Sequence, residues 1–439
     1  MAVLELLTGP AFLLFLAGAG IFFTCKLKGM QFFQIGRIWK ATFGGLSAKK
    51  EKRDGAISPF QATATALAGT LGTGNIAGVA TAIVSGGPGA VFWMWLSSLF
   101  AMAIKYAEIF LSVRFRTVNA NGEQIGGPMY YMEKGLHCRW MAVWFSAACV
   151  LASFGIGNMA QANAAAQSVS AAFGIPEWAV GLGLMCAIGM VLFGGITKIA
   201  KWTERVIPFL AVFYLGASAW ALWGHRGEIP EVISLIVQDA FDFSAAAGGI
   251  FGFLVCRGIR YGVARGVFSN EAGMGSAPII HGAADARSPA DQGMWGIIEV
   301  FLDTTVMCSI TALVILTSGV PFAGKDGAAL TLAAFETVLG RHGVLLLAVS
   351  ILFFAAASIL GWSYCGEKSM EYLHPGKRSR SIYRILYLCA VLAGAVFPLD
   401  FVWTLSDLLN LAMAVPNVLA VLLLSSHVTA KKSEKITQK

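Results

Sequence analysis

The feature that most limits this chain is the recurrence of apolar runs at least as long as a bilayer is thick. Stretches such as 139–172 and 342–366 pass with almost no charge. A hydrocarbon core of ~30 Å needs about 20 apolar residues in a helix. In lipid only helices or a closed barrel satisfy their own backbone hydrogen bonds, and continuous rather than alternating runs select helices. Hydrophobic residues make up 57% and charged ones 13% of 439, with a mean hydropathy of +0.70. That is too little charge to cover a soluble protein of this length. The chain reads as an all-α polytopic membrane protein whose surroundings are the lipid bilayer.

Charged punctuation divides it into eleven spans, near 9–25, 58–86, 88–113, 139–172, 177–197, 202–223, 245–275, 291–318, 342–366, 382–398 and 401–426. Phe32–Phe43 and Ile229–Phe243 are expected at the interface. Residues 1–439 form one membrane domain, because no long soluble segment or flexible linker interrupts the spans. Met1–Pro10 carries Glu5 and no basic residue, so a retained first span is expected rather than a cleaved signal. With the N-terminus outside, all but seven of the 32 Lys and Arg fall inside. Arg226, Lys325 and Arg341 lie outside, and Lys105, Arg257, Arg260 and Arg265 lie within spans. Positive charge marks the cytoplasmic side, which gives N-out and C-in. That topology and the basic tail Lys431–Lys439 suit a plasma membrane, specifically a bacterial inner membrane.

The net charge of +8 is not gathered on a soluble module, so nucleic acid is not an expected partner. The eight cysteines are scattered without C-x-x-C and read as small packing residues. H-E-x-x-H and Gly-x-Ser-x-Gly are absent, and the six histidines lie mostly in loops or near span ends. No catalytic residue, organic cofactor or enzyme activity is expected.

Setting the first span aside leaves five helices in 58–223 and five in 245–426. The second span runs inward-to-outward and the seventh the opposite way, as an inverted-topology repeat requires. Both leading spans are interrupted. The second covers about 29 residues, roughly 43 Å as a helix, and crowds Ala68-Gly69-Thr70-Leu71-Gly72-Thr73-Gly74-Asn75 at its middle. Unwinding there frees N–H groups that suit a carboxylate. It also frees carbonyls that, with the Thr70, Thr73 and Asn75 oxygens, suit a small hard cation. Glycines that merely allow close helix packing are the plainer reading; the polar density and the matching break outweigh it. The seventh span is expected to break at Phe268-Ser269-Asn270-Glu271-Ala272-Gly273-Met274-Gly275. Arg257, Arg260 and Arg265, just before it, must face water or acids, because each would cost about 2.5–3.5 kcal/mol in lipid.

Other polar residues stand inside spans. Asn158 and Gln161 share a helix face, for a ligand or for interhelical bonding, whereas Asn163 and Gln167 look like interhelical glue. Glu299 and Asp303 are four apart. Asp303 is a candidate either for the cation or for a structural pair with Lys105, the second reading being slightly preferred. Ser358 and Trp362 are also four apart, with Trp362 able to cap a small pocket.

Taken together, Gly72-Thr73-Gly74-Asn75-Ile76-Ala77-Gly78, Gly86-Gly87-Pro88-Gly89-Ala90-Val91-Phe92-Trp93-Met94-Trp95, Gly126-Gly127-Pro128-Met129-Tyr130-Tyr131, Phe268-Ser269-Asn270-Glu271-Ala272-Gly273, Ser358-Ile359-Leu360-Gly361-Trp362 and Gly366-Glu367-Lys368 resemble the alanine or glycine:cation symporter family. The resemblance runs from about residue 9 to 426. It implies uptake of small neutral amino acids with Na⁺, by a LeuT-like five-plus-five core behind one extra helix. It places substrate at Thr70, Gly72, Thr73, Gly74, Asn75, Asn158, Gln161, Phe268, Ser269, Asn270, Ser358 and Trp362. The string Gly72-Thr73-Gly74-Asn75 also resembles the unwound loop of the neurotransmitter:sodium symporters. By that likeness one Na⁺ meets Thr70, Asn75 and Ser269, and a second meets the Ala68 and Leu71 carbonyls with Ser358; Asp303 joins them as a candidate ligand. A same-fold carrier of another solute, such as an amine or nucleobase, is the alternative. A channel would show a ring of filter residues, which this pattern lacks.

Overall fold

Where the hydropathy changes least, the helices are longest. The computed structural model describes residues 9–45, 56–241, 257–286, 288–322, 327–397 and 399–430. The basic tail Lys431–Lys439, the stretch 245–256 and the Lys49–Arg53 charges lie outside the described residues. Within them the chain is nearly all helical, with one antiparallel hairpin pairing Thr117–Val118 with Gln124–Ile125. Among the described residues six helices are long and apolar enough to cross a membrane, or seven if the pair Pro59–Thr70 and Thr73–Gly86 forms one span bent by 59°. Shorter apolar helices include Ala11–Lys26, Glu177–Leu192, Gly327–Leu339 and Leu408–Leu423. The helix Gly327–Leu339, unforeseen in the sequence, lies against the second span, where Thr331 Oγ1 donates to the Ile76 carbonyl at 3.1 Å.

Local sequence explains the irregularities. The second span starts at Ser58, whose hydroxyl and Gln61 form a reciprocal capping box ahead of Pro59. The fourth runs Arg139–Phe154 and Ala160–Phe173 through a wider π-helical stretch at Gly155–Met159. The eighth does the same at Phe301–Cys308, between Pro289–Val300 and Ser309–Thr317. Such insertions frequently mark functional positions, and these two contain Asn158 and Asp303.

The seventh span corrects one expectation. Its helix Arg257–Asn270 continues through Phe268, Ser269 and Asn270, and a second helix occupies Ser276–Gly282. The break is therefore confined to 271–275. Glu271, Gly273 and Gly275 have φ of 53°, 85° and 86°, and these left-handed residues stop the helix. Above the break, Gly258, Gly262 and Gly266 form a seam against the third span, Ala90–Arg114. A side chain at 266 would come within 2.7 Å of Ser97 Oγ, and one at 262 would overlap the Ala90 carbonyl. This small-residue seam brings the two backbones together.

Towards the other end of the ninth span, Arg341–Leu373, a charged cluster ties the hairpin to the helices. Lys368 Nζ reaches Glu123 Oε2 at 2.7 Å and Glu371 Oε2 at 2.8 Å, and Arg384 Nε reaches Glu367 Oε2 at 2.7 Å. The seven described cysteines are free.

Candidate functional site

Leu71 leaves the helical region with ψ of 86°, Gly72 is extended, and Thr73–Asn75 make one tight turn before the helix resumes at Ala77. Asn75 Oδ1 accepts the Gly72 N–H at 3.1 Å and closes that turn. The whole segment is buried.

One side of it faces a single acid, Asp303, and the polar side chains around it. Asn75 Nδ2 donates to Ser269 Oγ at 3.0 Å and to Asp303 Oδ1 at 2.9 Å. The Ser269 and Thr304 hydroxyls both donate to Asp303 Oδ2, at 2.8 and 2.9 Å. Asp303 makes no pair with Lys105. The Lys105 ammonium lies 3.1 Å from Glu299 Oε1 instead, so the structural pairing expected for Asp303 belongs to Glu299. The opposite side carries hydroxyl and amide groups. Ser358 Oγ donates to the Ala68 carbonyl at 2.9 Å, and Gln161 Oε1 accepts the Thr73 N–H at 3.3 Å. A Cβ at residue 72 would lie 2.6 Å from Ser358 Oγ and 2.9 Å from Gln161 Oε1. Only glycine lets the chain pass between them. Thr73 Oγ1 is buried without a hydrogen-bond partner.

Two aromatic side chains bound the segment. Phe268 Cδ1 lies 3.7 Å from where a Gly74 Cβ would stand, and Trp362 Cδ1 lies 3.9 Å from the same position at Gly69. The Trp362 side chain also fills the space a side chain at Gly157 would need. Its Nε1 donates to Glu271 Oε1 at 3.0 Å, linking the ninth span to the break in the seventh.

Residues 1–439 match the family model described as the sodium:alanine symporter family. The chain belongs to that family. It is 44% identical to the sodium/alanine symporter AgcS of Methanococcus maripaludis, over 96% of this chain and 93% of that one. It is also 41% identical to an uncharacterized transporter, YflA, of Bacillus subtilis, over 98% and 92% of the two chains. A third relative, 37% identical over 99% and 90%, is the probable sodium/glutamine symporter GlnT of the same organism. Among solved structures the fold is similar to MhsT in complex with L-phenylalanine, with a TM-score of 0.58 at 15% identity over 85% and 89% of the chains. An Eremococcus coleocola manganese transporter gives 0.54 at 15% identity, over 86% and 81%. The protein is a multi-pass, Na⁺-coupled amino-acid symporter of LeuT-like fold, not an enzyme.

In this symporter the residues singled out in the sequence separate into two groups. Gly72, Thr73, Gly74, Asn75, Gln161, Phe268, Ser269, Asp303, Ser358 and Trp362, with Thr70, Ala68 and Leu71 of the break itself, are brought together. Asn158 turns towards the tenth span, Lys377–Val396, where its Nδ2 donates to the Tyr387 carbonyl at 2.7 Å, and its Oδ1 is buried without a partner. Asn270 is occupied locally, with Nδ2 on Thr304 Oγ1 at 3.2 Å and Oδ1 accepting the Ala272 N–H at 3.0 Å. Asn163 does bridge helices, donating to the Gly394 and Phe397 carbonyls at 2.9 Å each, whereas Gln167 is exposed.

The sequence reading missed the groups that hold the seventh span's break. Lys105 Nζ donates to the Asn270 carbonyl at 2.8 Å, and Glu108 Oε2 accepts the Gly273 N–H at 3.1 Å. Asn417 Nδ2 reaches both Glu108 and the Gly273 carbonyl, and Tyr131 donates to Asn417 Oδ1. Ser276 donates to Glu271 Oε2. An ionisable residue inside an apolar span is itself the signal for such a role. Lys105 and Glu108 carried that signal in the sequence.

Proposed function

We propose that this symporter carries a small neutral amino acid, alanine or glycine, inward together with Na⁺. The observation that carries the reading is the state of Asp303. Its carboxylate is buried beside Asn75 and Ser269, while the nearby ammonium of Lys105 is engaged by Glu299. A buried carboxylate lacking a cationic side chain in contact is costly, and a small cation beside it removes that cost. One Na⁺ therefore sits among Thr70, Ser269 and Asp303, with Asn75 joining them by turning its Oδ1 to the cation in place of the Nδ2 that now donates to Asp303. A second uses the Ala68 and Leu71 carbonyls and Ser358, whose hydroxyl turns to the cation from its present bond to Ala68. The substrate carboxylate lies at the Gly72–Gly74 backbone and the Thr73 hydroxyl, with the Gln161 amide beside it; Asn158 and Asn270, turned to other partners, stand outside this shell. Phe268 and Trp362 limit the side chain, since overfilling a packed site costs about 1–3 kcal/mol.

In this reading the helix Pro10–Lys26 stands outside a repeat pair, 58–223 and 245–426, eleven spans in all. The N-terminus faces outward and the C-terminus the cytoplasm of a bacterial inner membrane. Alternating access follows from rocking of the core about the two broken helices. Each ligand need only favour the occluded state through differential affinity. The test is uptake of labelled alanine by purified protein in liposomes with and without a Na⁺ gradient, with glycine, leucine, glutamine, an amine and a nucleobase as competitors. Saturable alanine uptake that ignores Na⁺ overturns the coupling, and selective competition by another solute reassigns the substrate.

A further inference from the structure

Three arginines in the first half of the seventh span have no role in the site above. Arg257 is exposed, while Arg260 and Arg265 are half-buried and line a cleft of about 230 Å³. The cleft lies between the first, seventh and eleventh spans. Phe12 and Leu13 of the first span form one wall, Leu411 and Ala414 another, and Phe268 lies at its edge. Arg265 stacks over the Phe268 ring at 5.5 Å, and Arg260 over Tyr261 at 5.8 Å. Among the ion pairs of the described residues neither guanidinium takes part. Asn410 also lines the cleft. It is only 8% exposed, and both its Oδ1 and its Nδ2 lack a hydrogen-bond partner.

A guanidinium pair and an unsatisfied amide require an acceptor-rich anion. The remaining walls are aliphatic and aromatic, so they require an apolar body attached to it. We propose that the cleft binds an anionic phospholipid, its phosphate held by Arg260, Arg265 and Asn410 and its glycerol and upper chains lying against the first and eleventh spans. Arginine's planar fork matches phosphate in a bidentate manner. An anionic headgroup also relieves the cost of keeping guanidinium groups at membrane depth. The lipid would stand one aromatic ring away from Gly74, close enough for its occupancy to influence Phe268.

Native mass spectrometry of the full chain, released from detergent containing equal phosphatidylglycerol and phosphatidylcholine, tests this without any transport assay, so failure here leaves the symport reading intact. The expected result is preferential retention of one phosphatidylglycerol. The double variant Arg260→Gln/Arg265→Gln should lower it roughly tenfold, Asn410→Leu less, and Arg226→Gln, remote from the cleft, not at all. Should the double glutamine variant not fold, Arg260→Lys/Arg265→Lys keeps both charges and should retain the lipid at an intermediate level. Equal retention of the two lipids, or retention indifferent to the arginine substitutions, overturns the proposal. So does displacement of the phosphatidylglycerol by inorganic phosphate or alanine, which would make the cleft a site for a soluble anion.

Discussion

Replacing Lys105 by methionine removes a fully buried ammonium that holds two groups at once. Its Nζ is 3.1 Å from Glu299 Oε1 and 2.8 Å from the Asn270 carbonyl, and the Lys105 and Glu299 side chains are 0% and 1% exposed. Breaking a buried pair from one side leaves an uncompensated charge and typically costs about 3–5 kcal/mol. Here His281 Nε2 remains 3.2 Å from Glu299 Oε2, and Gln292 lies 2.6 Å from the other ring nitrogen. Part of the charge is therefore still met, and the lower end of the range, about 3 kcal/mol, applies. In Lys105→Met/Glu299→Gln the Glu299 carboxylate is no longer stranded, so at least about 1.5 kcal/mol of the loss should return as a coupling energy. The freed Asn270 carbonyl is not restored by the second change, so uptake should stay low in both variants even when stability recovers. Unfolding titrations in detergent give the stabilities, and initial rates of alanine uptake in liposomes give the function. A Lys105→Met cost below about 1 kcal/mol, or a double variant no more stable than the single one, would refute the buried-pair reasoning.

Gly72→Ala places a methyl 2.6 Å from Ser358 Oγ and should abolish uptake while leaving membrane expression intact, measured by uptake against protein quantity. Ser358→Ala removes one oxygen from the proposed second cation site and should raise the half-saturating Na⁺ concentration about five- to thirtyfold, equivalent to about 1–2 kcal/mol; Ser358→Thr should stay near the parent. Trp362→Phe strands Glu271 Oε1, and the loss of that bond should destabilise by about 1–3 kcal/mol in the same unfolding titration. For Glu123, burial alone would raise the carboxyl, but the Lys368 hydrogen bond and charge outweigh it and hold it below its ordinary value of 4.5. Its contribution is therefore present above that value and lost as pH falls through the lower folded one. Glu123→Gln should therefore lower stability at neutral pH and flatten the acid side of the unfolding profile below about pH 5, where variant and parent converge.

Hydropathy made the helical spans legible, and the glycine, threonine and asparagine density made the break at 71–76 legible, because both are properties of consecutive residues. The seventh break lies later than its polar run suggests, because Ser269 and Asn270 are polar yet still helical, and the helix stops only at Glu271. Nothing in a glutamate announces a left-handed conformation. Glu299 and Asp303 looked like residues on one face, as a regular helix would make them. They do share a face but stand about one turn apart along the axis, so they meet different neighbours: Glu299 meets Lys105 and His281, while Asp303 meets Asn75 and Ser269. A count of four gives the face and not the partner at each level, which is why it does not tell which acid takes the lysine. The helix Gly327–Leu339 escaped for a simpler reason: thirteen residues are too few to register as a span.

The third span explains why an opened helix can persist inside the membrane. Lys105 and Glu108 are three apart and so share a face. The ammonium meets the Asn270 carbonyl, at the negative end of the half-helix, while the carboxylate meets the Gly273 N–H just beyond it. Each freed backbone group thus receives the opposite charge, from one rigid helix. The seam at Gly258, Gly262 and Gly266 supplies the close approach that this needs, so the seam and the two charges act as one device. The second span's break is held by neutral side chains instead, Ser358 on the Ala68 carbonyl, Asn75 on the Gly72 N–H and Gln161 on the Thr73 N–H. Its Thr73 hydroxyl lacks a partner, and its Asn75 meets an acid without a lysine. In the proposed mechanism the seventh break would then serve as the fixed wall of the site and the second as the face that meets substrate and cation.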